Sequence, residues 1–233
     1  MVQSRSLAGA VTPIRREYGG RRVQRPGRPR DPRSYQAILE ATIAVLHDVG
    51  YMRFAIEGVA ARAGVGKGTI YRHWPSRGAL VVEAITSPAC EAATRGRWSM
   101  RAGELPDTGT LRGDLLAFLE SVTAALTDAA AKEILPGLAA DLNRNPELAE
   151  AVRARIIDPQ RRALAQLIQR AVARGQARER LDVTLLCETL LGPVCYRAYL
   201  AGQPVDHAML VQLVDQLLPA MTPVAERARS AAR

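Results

Sequence analysis

The chain has little cysteine, no long apolar run and no catalytic signature. Its three cysteines are an odd number, without CxxC spacing or a neighbouring histidine cluster, which excludes a disulfide framework and a zinc site. Cys187 and Cys195 fall eight residues apart in a helical pattern, a separation of about 12 Å along a helix axis and too long for a bridge within the chain. Small apolar packing is their expected role. No stretch approaches the roughly 18 uninterrupted apolar residues of a membrane span, and the one apolar block near the N-terminus, Leu7 to Val11, is flanked by arginines. A cytoplasmic location is therefore expected, with no membrane partner. His47, His73 and His207 are isolated, and neither GxSxG nor HExxH occurs, so no catalytic residue, metal or cofactor is expected. Aromatic residues are sparse at 4%, but 48% hydrophobic and 24% charged residues are ordinary for a globular protein. Most of the chain should fold.

The charge is unevenly placed. The net charge is +9, and residues 1–30 carry eight arginines against Glu17, a local excess of +7, while residues 31–85 and the remainder carry +1 each. The arm also holds Pro13, Pro26, Pro29, Gly19, Gly20 and Gly27 and has too few large apolar residues to offset the entropy of ordering. Composition predicts a disordered basic arm over residues 1–30. Such a polycation attracts nucleic acid by counterion release, with anionic lipid as the lesser class of partner.

From Asp31 onward the pattern is helical throughout, with no credible strand, and the fold class is all-α. Tyr35, Ile38, Leu39, Val45, Leu46 and Val49 form one helical face that Gly50 ends. Ile56, Val59, Ala60 and Ala63 lie at i, i+3, i+4 and i+7 of a second helix stopping at Gly64. A third, short helix follows, with Val65, Ile70 and Trp74 inward and Lys67, Thr69, Tyr71 and His73 outward. Pro75 and Ser76 end it, and Ser76 caps a fourth helix carrying Leu80, Val81, Ala84 and Ile85. Residues 94–110 read as a long connection, followed by helices near 111–128, 131–144, 146–175, 182–202 and 206–219. Pro159 either kinks the third of these or restarts it with Asp158 as N-cap.

Two short helices joined at Gly64 and buttressed by a longer one have the architecture of a helix-turn-helix DNA reader. Lys67 can reach a phosphate or a guanine edge, Thr69 a phosphate or a thymine methyl, and Tyr71 and His73 phosphate oxygens. Gly66 and Gly68 each cost about 1 kcal/mol of helix stability relative to Ala, which makes sense where backbone must approach DNA or the neighbouring helix. A phosphate-cradling loop at Gly64 to Thr69 lacks P-loop spacing and follows a helix where a strand is needed.

The segment Ile56-Glu57-Gly58-Val59-Ala60 through Ala63-Gly64-Val65-Gly66-Lys67-Gly68-Thr69-Ile70-Tyr71-Arg72-His73-Trp74-Pro75-Ser76-Arg77-Gly78-Ala79-Leu80 resembles the DNA-binding domain of TetR-type transcriptional regulators. The resemblance implies a dimeric, all-helical regulator that binds an operator and holds a small-molecule effector in its C-terminal domain. It makes Gly66, Lys67, Thr69, Tyr71 and His73 the DNA contacts and Arg77 a phosphate contact at the start of the next helix. Ala55 stands where the family commonly has Thr or Ser, which removes a cap worth about 1 kcal/mol, and Trp74 replaces the usual Phe. Arg25-Pro26-Gly27-Arg28-Pro29-Arg30 resembles the core of an AT-hook, the alternative being a basic linker, and Arg28 and Arg30 are candidates for phosphate or minor-groove contact.

Three regions are expected: the arm at 1–30, the helix-turn-helix domain at 31–86, and a ligand-binding and dimerisation domain at 87–233. The helix from Asp182 to Gly202 is apolar nearly all round. With the next helix it is expected to form a four-helix dimer interface, through Leu186, Leu190 and Val194 on one and Leu210, Leu213, Val214 and Leu217 on the other. A cavity among the helices from Leu111 to Gly175 is expected to hold a mainly hydrophobic ligand. Its candidate walls are Leu115, Phe118, Leu119, Val122, Leu138, Leu142, Val152 and Ile156, with Thr123, Asn143 and Tyr196 as polar anchors. The reading is a ligand-released DNA-binding repressor, not an enzyme. The alternative is an all-helical ligand-binding or enzymatic protein whose helical hairpin is only structural.

Overall fold

The structure, a computed structural model, describes residues 32–93 and 105–223. Every element of these residues is helical. In α1 (Pro32–Arg53), Ile38, Leu39, Thr42, Ile43 and Leu46 turn inward. Gly50 interrupts the helix at φ 69°, a backbone state that glycine adopts without steric penalty, and the buried Tyr51 and Phe54 follow it.

Local chemistry sets the bounds of the next three helices. Ala55 at the head of α2 (Ile56–Ala63) offers no side-chain cap, and Gly64 closes that helix in the left-handed conformation. The seven-residue α3 (Lys67–His73) buries only Ile70 within its span. It ends on Trp74, whose N–H donates to the Ile70 carbonyl at 2.9 Å. Ser76 caps α4 (Arg77–Ile85), its hydroxyl accepting from the Ala79 N–H at 3.1 Å. Residues 88–93, just before the expected connection, form a separate short helix, α5 (Pro88–Ala93).

The C-terminal helices are α6 (Leu111–Thr127), α7 (Ala129–Leu142), α8 (Pro146–Val152), α9 (Asp158–Ala173), α10 (Val183–Cys195) and α11 (His207–Met221). Their N-caps are Thr110, Asp128, Asn145, Asp182 and Asp206, each accepting from a backbone N–H, except at α9. There the chain never leaves helical dihedrals, and a wide π-helical turn, Arg153–Ile157, joins α8 to α9. This decides the question at Pro159: the helix continues, and extra residues in one turn absorb the missing N–H. Asp158 is not a cap. A second π-helical turn, Tyr196–Leu200, follows Pro193 at the end of α10.

One apolar core runs through both halves of the described chain, with α1 and α4 packed on α7 and α8. The close approach of α4 to α8 needs Gly78, where a Cβ would fall 2.9 Å from Leu148 Cδ1. The approach of α1 to α7 likewise needs Gly137, where a Cβ would fall 2.6 Å from Tyr51 Cδ1.

The segment before α6 is clamped by polar groups. Asp114 is fully buried, accepts from the Thr108 N–H and hydroxyl at 2.6 and 2.8 Å, and pairs with Arg174 Nη2 at 2.5 Å. Burial pushes its pKa up, but these donors together hold it below the usual carboxylate value. Its stabilising contribution is thus present above the unfolded-state pKa of about 3.9 and is lost as pH falls through the lower folded value. Asp114→Ala should cost about 1–3 kcal/mol near neutral pH, measured by chemical denaturation, and the gap from the parent protein should narrow progressively below about pH 4.

Candidate nucleic-acid interface and ligand cavity

The turn between α2 and α3 is fixed by Gly64 at φ 66° and by the Val65 N–H, which donates to the Ala60 carbonyl at 3.0 Å. With Ile70 and Trp74 inward, the opposite face of α3 presents Gly66, Lys67, Gly68, Tyr71 and Arg72 to solvent, with Thr69 half-buried beside them. A Cβ at Gly66 or Gly68 would meet nothing within 4 Å. Among the described residues, proximity to a neighbouring helix therefore does not explain these glycines. Lys67 Nζ lies 3.0 Å from Glu57 Oε1 in an exposed pair that holds the Glu57 carboxyl below its ordinary pKa. Such a pair is readily exchanged for another anion. Arg72, on the same helix, is exposed as well.

Two expected contacts have other occupations. His73 is half-buried, its ring meeting Tyr35 edge-on at 5.6 Å and lying 5.3 Å from Trp74. Arg77 is the more fully engaged. Its guanidinium reaches back to Asp141 Oδ2 at 3.1 Å and the Phe54 carbonyl at 3.4 Å, and lies 5.0 Å from the Tyr51 ring centroid. Tyr51 Oη donates to the same Asp141 oxygen at 2.8 Å, and these two donors pull the Asp141 pKa down. Arg77 here is a strut between α4 and α7, held by a carboxylate that sequence spacing could not place beside it. Arg28 and Arg30 lie outside the described residues.

A cavity of about 610 Å³ opens between α7, the α8–α9 turn and the end of α10. Leu138, Leu142, Val152, Ile156 and Tyr196 line it as expected, joined by Leu126, Leu135, Pro136, Ala139, Gly192, Cys195, Tyr199 and Leu200. Leu115, Phe118, Leu119, Val122 and Thr123 are instead buried core, because the middle of α6 packs against α9 and α11. Only the last turn of α6 reaches the cavity. The buried Thr123 hydroxyl has no hydrogen-bond partner, and Asn143 is exposed beyond α7 and does not line the cavity. Among the described residues, no carboxylate, amine or guanidinium lies on the wall. Burial raises the pKa of the Cys195 thiol and lifts the Tyr199 phenol to about 12. The lining is therefore mainly apolar, with the Tyr196 hydroxyl as an exposed polar group while Tyr199 Oη donates to the Leu126 carbonyl. Such a wall suits an uncharged, mainly apolar molecule.

The expected dimer residues need correcting in phase. Leu186, Leu190, Val194, Leu210 and Val214 are buried within this chain and cannot also meet a second copy, while Leu213 and Leu217 are half-buried. On α10 and its π-helical extension the uncovered apolar groups are Leu185 (59% exposed), Tyr196 (60%) and Leu200 (80%). Gly192 stands between them, so the strip follows i, i+7, i+11 and i+15 along one side.

Among the described residues no helix is long and apolar enough to cross a membrane, and no group of three or more His, Cys, Asp or Glu could hold a metal ion. Comparison with known proteins agrees with the geometry. The family described as "Bacterial regulatory proteins, tetR family" matches residues 38–84, and "Tetracyclin repressor-like, C-terminal domain" matches residues 105–217. The DNA-binding transcriptional repressor TetR of Mycobacteroides abscessus is 33% identical over 186 residues, covering 78% of this chain and 90% of the relative. The HTH-type regulator YdeS of Bacillus subtilis is 28% identical, covering 81% and 89%. The crystal structure of the TetR family transcription regulator SCO0332 superposes with a TM-score of 0.65 at 33% identity, covering 82% of this chain and 99% of that one. The chain belongs to the TetR family of helix-turn-helix transcriptional regulators and is not an enzyme.

Proposed function

We propose that this regulator is a repressor that binds a palindromic operator as a homodimer and is released by a small, uncharged, mainly hydrophobic effector. The observation that carries the DNA reading is the division of α3. Ile70 and Trp74 anchor one side, while Lys67, Tyr71 and Arg72 stand exposed on the other, next to backbone left open at Gly66 and Gly68. In this reading Lys67 and Thr69 read base edges and Tyr71 and Arg72 take phosphates. The basic arm, with Arg28 and Arg30, adds phosphate or minor-groove contacts. The name of the relative from Mycobacteroides abscessus, a transcriptional repressor, supports the sign of regulation.

A second copy is the proposed cover for the Leu185, Gly192, Tyr196 and Leu200 strip, because a two-fold axis sets one strip against its equal. It also spaces two α3 helices for successive major grooves, about 34–36 Å apart or a multiple of that. The effector is assigned to the neutral cavity between α7 and α10. Its binding releases DNA if the filled form favours a half-site spacing that the operator does not match.

An operator selected from a randomised duplex pool tests the DNA reading. Lys67→Ala should lower operator affinity about tenfold and relax discrimination at one base position. Tyr71→Phe should weaken all duplexes alike, with the melting temperature unchanged in both. Unchanged affinity after both substitutions would remove α3 from the interface. For the dimer, Leu185→Glu should convert a sedimenting dimer into a folded monomer at micromolar concentration and abolish binding to the full palindrome. A parent protein that sediments as a monomer contradicts the two-fold arrangement.

A further inference from the structure

Glu83 lies on α4, outside the helix-turn-helix proper, with its side chain only 15% exposed, and both of its carboxylate oxygens are engaged. Oε1 accepts from Tyr35 Oη of α1, and Oε2 accepts from Trp74 Nε1 at 2.9 Å. Tyr35 stacks on Trp74 with ring centroids 5.1 Å apart and meets His73 edge-on. The end of the reading helix is therefore seated on Glu83. The remaining partner of Oε2 comes from the other half of the molecule: Arg155 Nη2, at 2.7 Å. Arg155 sits inside the π-helical turn Arg153–Ile157, and its neighbour Ile156 is a wall of the cavity, as is Val152 one turn earlier.

We propose that Glu83 is the positioning residue of the reading helix and that the Arg155–Glu83 ion pair is the joint through which a filled cavity displaces it. This rests on the cavity being the effector site.

The geometry has a pivot and a lever. Near its start α8 is pressed against α4 where Leu148 meets Gly78, too tightly for a Cβ. Seven residues later Arg155 holds Glu83, five residues further along α4. Neighbouring positions in so wide a turn still point to different sides of the helix, so pressure on Ile156 turns Arg155 relative to α4. The turn where this happens is a π bulge, a rare element that recurs at functional sites. By contrast, α7 is bolted to the reader by the close Gly137–Tyr51 approach and by Asp141 with Tyr51 and Arg77, and so moves with it.

Withdrawing Arg155 leaves a carboxylate whose pKa burial already raises. That carboxylate must rotate toward water or take up a proton, and either weakens its hold on Trp74 and Tyr35. A reading helix that buries one side chain of its own then loses its terminal anchor.

Trp74 reports the joint directly. Trp98 is the only other tryptophan, so full-length Trp98→Phe protein grown with 5-fluorotryptophan gives one fluorine NMR signal from the seat. Arg155→Met and Glu83→Gln should each shift or split that signal in folded protein. Arg153→Met should leave it unchanged, because among the described residues Arg153 pairs with Glu150 on its own helical face. Filling the cavity, by Ala139→Phe or by dodecanol as an uncharged apolar probe, should move the signal in the parent and not in Arg155→Met. A Trp74 signal identical in the parent and Arg155→Met overturns the proposal, as does an equal response to Ala139→Phe with and without Arg155. Dodecanol that leaves the melting temperature of the parent unchanged counts against the effector site, while the Ala139→Phe comparison still decides the joint.

Discussion

A helix of seven residues that buries one side chain within its span cannot hold its own orientation. Everything that α3 does depends on what fixes it from outside. The turn at Gly64 fixes its start, and its end is fixed by Trp74, stacked on Tyr35 and hydrogen-bonded to Glu83. A half-buried carboxylate is a costly anchor unless its oxygens are saturated, and here they are, by donors from α1, the end of α3 and the α8–α9 turn. The same group that seats the reader thus ties it to the wall of the cavity. Glycine at 78 and 137 lets α4 and α7 approach their neighbours closely enough for these polar links to be short.

The cavity and the uncovered strip of α10 are also one surface. Tyr196 and Leu200 belong to both, and Gly192 lines the first and interrupts the second. A second copy laid on the strip would deepen the cavity and exclude water from it, which strengthens apolar binding in a site that has no charge to offer. In the proposed dimer, ligand affinity and subunit association would be coupled through these shared side chains.

Much of the fold was legible because its punctuation is local. Gly50 and Gly64 stop helices by taking positive φ, Ser76 caps α4, and Asn145-Pro146 starts α8. The outward face of α3 followed from the inward positions of Ile70 and Trp74. Three features were not legible, for physical reasons. A helix that is apolar on all sides carries no phase, so nothing in the spacing of Leu186, Leu190 and Val194 said that they face the core of their own chain while Leu185 and Tyr196 face outward. Proline at 159 and 193 announces a break, but whether a capped restart or a π-helical turn absorbs it depends on tertiary packing. Arg77 and Glu83 find partners 64 and 72 positions away in the chain. No local pattern records such a partner, so the spacing around Arg77 did not show its link to α7, nor did it mark Glu83 as the seat of the reading helix.

Amide hydrogen exchange in Glu83→Gln tests the central dependence most directly. The Trp74 N–H, bonded to the Ile70 carbonyl, and the last amides of α3 should exchange in the parent protein as slowly as the buried middle of α4, Leu80 to Ala84. In Glu83→Gln they should exchange much faster while the α4 amides keep their protection, the mark of a local opening. Unchanged protection of α3 in that variant would contradict the account.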